Sequence, residues 1–136
     1  MKEKLNGRIE GGNLCTLGLL QGTEYMPDIR DAILFLEDDG ETKEGFFVEF
    51  DRNLTSLIQQ PGFETVKGIV LGRCQKDSKM TKEKWIKLIK THPELDRIPV
   101  IADCDFGHTT PIITFPIGGE AELVAEKDIV NLKIKG

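Results

Sequence analysis

The chain predicts a mixed α/β domain that ends in an antiparallel β element, and three observations carry that prediction. Three apolar runs, AILFLED (Ala32–Asp38), VKGIVLG (Val66–Gly72) and IPVIAD (Ile98–Asp103), have the length and saturation of strands buried on both faces. Amphipathic stretches lie between them at the 3.6-residue period of a helix. Beyond His108 the texture changes: IITFPIGGEAELVAEKDIVNLKIKG is β-like, with Gly118-Gly119 as a turn and ELVAE and VNLKI alternating as in hairpin strands.

Each element follows from local chemistry. RIEGGNL opens as a short strand and turns on Gly11-Gly12, after which Asn13 can N-cap a helix over Leu14–Leu20 that Gly22 stops. QGTEYMPDIRD is loop-like, with Pro27 and Asp28 as turn residues. After the first apolar strand, Phe46–Gln60 puts Phe47, Phe50, Leu54, Leu57 and Ile58 on one helical face, and Pro61-Gly62 ends it. Thr81 is placed to cap a second long helix, Lys82–Thr91, whose Trp85, Leu88 and Ile89 share a face. No repeat, low-complexity tract or Pro/Ser-rich linker divides the chain, so a single domain over residues 1–136 is expected.

Composition narrows the function classes. At 136 residues, 39% hydrophobic and 30% charged, the chain has the balance of an ordinary globular domain. A net charge of −5 without a basic run argues against a nucleic-acid or anionic-membrane partner. The lysines of KDSKMTKEKWIKLIK recur at helical spacing and read as a solvated helix face. No apolar stretch approaches the ~18 residues of a membrane span. Cys15, Cys74 and Cys104 are odd in number and irregular in spacing, which fits neither a disulfide framework nor a zinc site and points to a reducing cytoplasm.

Chemistry concentrates where the apolar strands end. Glu37 follows AILFL, Arg73 follows GIVLG, and DCDFGH (Asp103–His108) follows IPVIA. If the three strands are parallel, these ends share the carboxyl edge at which open α/β sheets bind ligands. There Glu37 can orient His108 and stabilise its imidazolium, which makes a general base. A nucleophile is missing, because Ser56 lies within a helix and Ser78 in a lysine-rich loop, neither in a Gly-flanked elbow. Two alternatives stay open at this point: Cys104 as a thiol nucleophile rather than a packing residue, and a metal site of Asp103, Asp105 and His108. His92, at a helix C-terminus where a cation suits the dipole, needs no functional role.

The segments GGNLCTLGLLQGTEYMPD, ILFLEDD, GIVLGR and DFGHTTPIITFPIGGEAEL, in that order over about Gly7–Val124, resemble the C-terminal domain of the LD-carboxypeptidase family, the serine peptidases that include the microcin C immunity peptidase. The resemblance implies a swivelling β/β/α-type domain with a mixed sheet. It also implies a Ser–Glu–His triad, with the serine on a separate N-terminal nucleophile domain that would be the partner of this one. Glu37 in LFLED and His108 in DFGHT match the glutamate and histidine, Asn13 in GGN matches a position lining the substrate cleft, and no cofactor is implied. Two substrate branches follow: the amide before the terminal D-alanine of a murein tetrapeptide, and the amide of an aminoacyl-nucleotide antibiotic. The GGNLCTLGLLQGTEYMP wording and the KDSKMTKEKWIKLIK insert are closer to the second. With no nucleophile domain in the 136 residues, the chain alone is expected to be inactive, and an exposed inter-domain face predicts self-association, as in a homodimer. The rival class is a non-catalytic binding module that keeps the fold alone.

Overall fold

The computed structural model describes residues 2–135, which form one six-stranded sheet with helices packed on one side. In chain order the elements are β1 (Lys2–Asn13), α1 (Leu14–Gly18), β2 (Ala32–Glu37), α2 (Phe46–Ile58), β3 (Gly68–Gly72), α3 (Lys82–Lys90), β4 (Val100–Cys104), β5 (Glu120–Glu126) and β6 (Ile129–Lys135). The spatial order is β4-β3-β2-β1-β5-β6. β1 to β4 run parallel through crossovers, while β5 and β6 are antiparallel additions.

β1 is the strand on which both halves of the sheet depend. Its first part, Lys2–Arg8, pairs antiparallel with Glu120–Glu126, and its second part, Arg8–Asn13, pairs parallel with Ala32–Glu37. The strand begins well before RIEGGNL, where a short strand is expected from sequence. The preceding KEKLNG is too polar to signal a buried strand, yet β5 supplies a ladder for it and Leu5 packs on the core. The other boundaries agree with the periodicity to within about two residues, α1 included. That helix ends at Gly18, and turn hydrogen bonds carry the chain on to Gln21. IITFP is irregular rather than a strand, since Pro111 and Pro116 have no N–H for a ladder.

Continuous apolar runs arise because the parallel strands are covered on both faces. On one face Ala32, Leu34 and Leu36 of β2 and Ile69 and Leu71 of β3 meet Leu14 and Leu17 of α1, Phe50, Leu54 and Leu57 of α2, and Trp85 and Leu88 of α3. Phe50 and Trp85 meet edge to face at 5.0 Å. On the other face Ile9, Ile33, Phe35, Val70, Ala121 and Leu123 form a second cluster without any helix above it. Its cover comes from the loop after β4: Phe106 and Phe115 lie 5.7 and 4.8 Å from the Phe35 ring and 5.3 Å from each other. Burying an aromatic of this size stabilises by about 1.5–3 kcal/mol, enough to fix the loop on the sheet.

Gly11 and Gly12, expected from sequence as a turn, instead continue β1 in its ladder with β2, and the glycine at the first position has a steric cause. Gly11 has φ +130°, and a Cβ there would lie 2.1 Å from the Phe35 carbonyl oxygen on the neighbouring strand. Gly11→Ala therefore combines backbone strain with a clash against main chain and should destabilise the domain by about 3 kcal/mol or more, read as a fall in the urea midpoint.

Candidate active site

Glu37 is the last residue of β2, opposite Asn13 of β1 in the ladder, and Arg73 and Asp103–His108 lie at the same edge of the neighbouring strands. The topology thus brings the three polar strand ends together at the carboxyl edge, which is the arrangement expected if the strands are parallel. There the His108 Nδ1–H donates to Glu37 Oε2 at 2.6 Å. The Glu37 side chain is 11% exposed and that of His108 44%, so a largely buried carboxylate holds a half-exposed ring. With Nδ1 engaged as donor, Nε2 is left as the acceptor of the neutral imidazole.

Three consecutive residues of DFGH build this contact. Phe106 inserts into the second core cluster and anchors the loop. Gly107, at φ +107°, runs so close to Glu37 that a Cβ would sit 2.9 Å from Oε2. Only glycine lets the backbone pass over the carboxylate in this conformation and deliver His108 at hydrogen-bond range.

The hydrogen bond to Glu37 raises the His108 pKa above its ordinary 6.5; burial opposes this, and the charges of Glu37, Asp39 and Asp38 add to it. A raised pKa on a cationic group means the contact stabilises the fold most below 6.5. That stabilisation is lost as pH rises through the raised value.

Asn13 does what a cap residue does. Its Oδ1 accepts from the Thr16 N–H at 2.9 Å, and its Nδ2 donates to Asp38 Oδ1 at 3.2 Å. It lines a hollow of about 230 Å³ with Cys15, Thr16, Asp38 and Asp39. A broader, open hollow of about 740 Å³ lies on the His108 side, bounded by Asp39, Gly40, Lys43, Gln75 and Thr109. The loop between the two hollows is pinned where the Gly40 N–H donates to Gln75 Oε1 at 2.6 Å.

The other sequence candidates are placed differently. Cys104 packs against the second core cluster, and burial pushes its thiol pKa up, which disfavours the thiolate that a nucleophile needs. Cys74 is pushed up to about 12 for the same reason. Asp105 pairs with Arg73, and among the described residues no group of three or more His, Cys, Asp or Glu side chains is arranged to hold a metal ion. His92, 9% exposed, bonds through Nε2 to Asp51 Oδ1 of α2 at 2.6 Å, a tie between two helical segments.

Residues 6–123 match the LD-carboxypeptidase C-terminal domain family. The chain belongs to this family. The Bacillus subtilis protein YocD is 49% identical over 119 residues, which are 88% of this chain and 36% of YocD. The microcin C7 self-immunity protein MccF of Escherichia coli is 32% identical over 133 residues, 96% of this chain and 37% of MccF. MccF has been solved in complex with glutamyl sulfamoyl guanosine. Among solved structures, an MccF-like protein from Bacillus anthracis superposes with a TM-score of 0.94 at 50% identity, over 98% of this chain and 40% of that one. A muramoyltetrapeptide carboxypeptidase from Oxalobacter formigenes does so at 0.81 and 29%, over 100% of this chain and 47% of that one. The chain spans about 36–37% of the length of YocD and MccF.

For this LD-carboxypeptidase C-terminal domain, sequence reasoning did not find the fastening around the pair: Arg73 on Asp105, Phe106 in the core, Asn13 on Asp38. One signal was present, an arginine closing β3 and an aspartate just beyond β4 on adjacent strands. The raised His108 pKa is directly measurable. In a histidine NMR titration Glu37→Gln should move the His108 midpoint down toward 6.5 and leave His92 in place. The same substitution should remove the low-pH stability increment, seen as a flatter dependence of the melting temperature on pH.

Proposed function

We propose that this domain supplies the acid–base half of a serine-type amide hydrolase. His108 is the general base and Glu37 the residue that orients it and stabilises its charged form. A serine on a separate nucleophile domain completes the triad. The observation that carries the reading is the 2.6 Å bond from His108 Nδ1 to the mostly buried Glu37, on a ring whose other side remains open. Membership of a family described as a C-terminal domain supports the need for a second domain.

In the proposed cycle His108 Nε2 takes the proton of the serine hydroxyl as its oxygen attacks the amide carbonyl. The imidazolium then passes that proton to the departing amine, which breaks the C–N bond. Glu37 stays ionised throughout and holds the ring. Water, deprotonated by the same His108, attacks the acyl-serine ester; the bond from the acyl carbon to the serine oxygen breaks, the imidazolium returns its proton to that oxygen, and the acid is released. A base of this kind acts when neutral, so activity should rise as pH passes through the raised His108 pKa.

Of the two substrate branches, the amide of an aminoacyl-nucleotide compound is favoured over the murein tetrapeptide. The support is the 50% identity to the MccF-like protein, against 29% to the muramoyltetrapeptide carboxypeptidase. Asn13 is proposed as a substrate-side residue, since it lines the hollow next to the pair. The domain is further proposed to work in the cytoplasm, and on its own to self-associate through the face its partner would cover.

The test is reconstitution. The purified 136-residue chain alone should hydrolyse neither substrate class. Mixed with, or fused to, the serine-bearing segment of a relative, it should release product. His108→Ala should then lower kcat on the order of 10³-fold or more with a small change in KM. Hydrolysis by the isolated chain, or an assembled enzyme indifferent to His108→Ala, would refute the assignment.

A further inference from the structure

The Glu37–His108 contact joins a rigid strand end to a loop, so its precision depends on what holds the loop. Gly107 immediately before His108 is a conformationally free joint, and Phe106 anchors only the side facing the core. A third restraint comes from Arg73, the first residue beyond β3. Its N–H donates to the Cys104 carbonyl at 2.9 Å, an oxygen that also accepts from the Phe106 N–H at 2.9 Å. Its guanidinium forms an ion pair with Asp105, whose own carbonyl accepts from the Ile113 N–H at 2.7 Å. Main chain and side chain of one arginine therefore grip the segment that leads into His108.

The pair's exposure decides what this grip is for. The Arg73 and Asp105 side chains are 35% and 45% exposed, and ion pairs so open to water add at most about 1 kcal/mol to global stability. The contribution lies instead in geometry, three residues upstream of the imidazole.

We propose that Arg73 is a positioning residue: by clamping Asp105 to the end of β3 it sets the backbone course from which His108 reaches Glu37. The proposal rests on Glu37 and His108 as the working pair, but it concerns their geometry and is decided in this chain without a catalytic assay.

Histidine NMR separates the clamp from simple electrostatics by sign. The groups facing His108 are Glu37 of β2 and Asp38 and Asp39 of the following loop, with Glu41, Lys43, Lys76 and Asp77 around the adjoining hollow. Removing a cation from this neighbourhood acts through charge alone to raise the His108 pKa. Releasing the clamp weakens the Nδ1–Oε2 bond and lowers it.

The chain contains two histidines, so His92, held on Asp51, reports folding in the same spectrum. Arg73→Ala should shift the His108 midpoint down with the His92 signals unmoved, and the charge-swapped pair Arg73→Asp with Asp105→Arg should restore it. If Arg73→Ala disturbs His92, the milder Arg73→Gln carries the decision by the same criterion. A His108 midpoint that stays put or rises while His92 is native overturns the proposal. In an assembled enzyme Arg73→Ala should lower kcat on the order of tenfold or more with KM nearly constant. An unsubstituted assembly that hydrolyses nothing would refute the catalytic reading and leave the NMR result decisive for the clamp.

Discussion

β1 carries two ladders of opposite sense, and the rest of the domain is arranged around that constraint. Arg8 is the changeover: before it the strand belongs to the antiparallel half with β5, after it to the parallel half with β2. Parallel pairing requires long crossovers, and these place α1, α2 and α3 on one face of the sheet. Antiparallel pairing needs only a short turn, so the other half adds strands without adding helices. The second face consequently has no helix, and a loop must close it. That loop is the one that carries His108.

The candidate site is thus a product of topology more than of local sequence. Parallel strands end on one edge, and residues distant in the chain meet there because each lies at or just beyond the C-terminal end of a strand. Glu37 sits at a rigid strand terminus, while His108 arrives over a glycine from a loop pinned by aromatic rings below and an ion pair beside it. A rigid carboxylate and a guided imidazole give this domain a Glu37–His108 geometry that is complete within its own chain.

Much of this was legible in the residues. AILFL and GIVLG announced buried parallel strands, whereas IPVIA, read the same way, became the half-buried edge strand β4 because only β3 pairs with it; the helical periodicities located α2 and α3, and Asn13 and Thr81 capped where their side chains indicated. The strand-end logic placed Glu37 and His108 at a common edge. The full length of β1 was hidden because its early residues are polar and its partner, β5, lies more than a hundred positions away. The irregular course of IITFP was hidden because apolar residues read as a strand even where prolines remove the donors. Arg73 on Asp105 was hidden for a third reason: which side chains of adjacent strand ends meet is a matter of register, and register is a tertiary fact.

The loop that closes the helix-free face gives the domain an unusual coupling. Phe106 and Phe115 are at once part of the hydrophobic core and the seat of the imidazole two residues beyond Phe106. The lowest-energy opening of such a domain is the lifting of that loop, well short of global unfolding. Warming, mild denaturant or a cavity beneath Phe35 should therefore withdraw the base from its carboxylate while the helices and parallel strands remain intact. Loss of the working geometry would precede loss of secondary structure, so the domain's functional melting point and its structural one are two different temperatures.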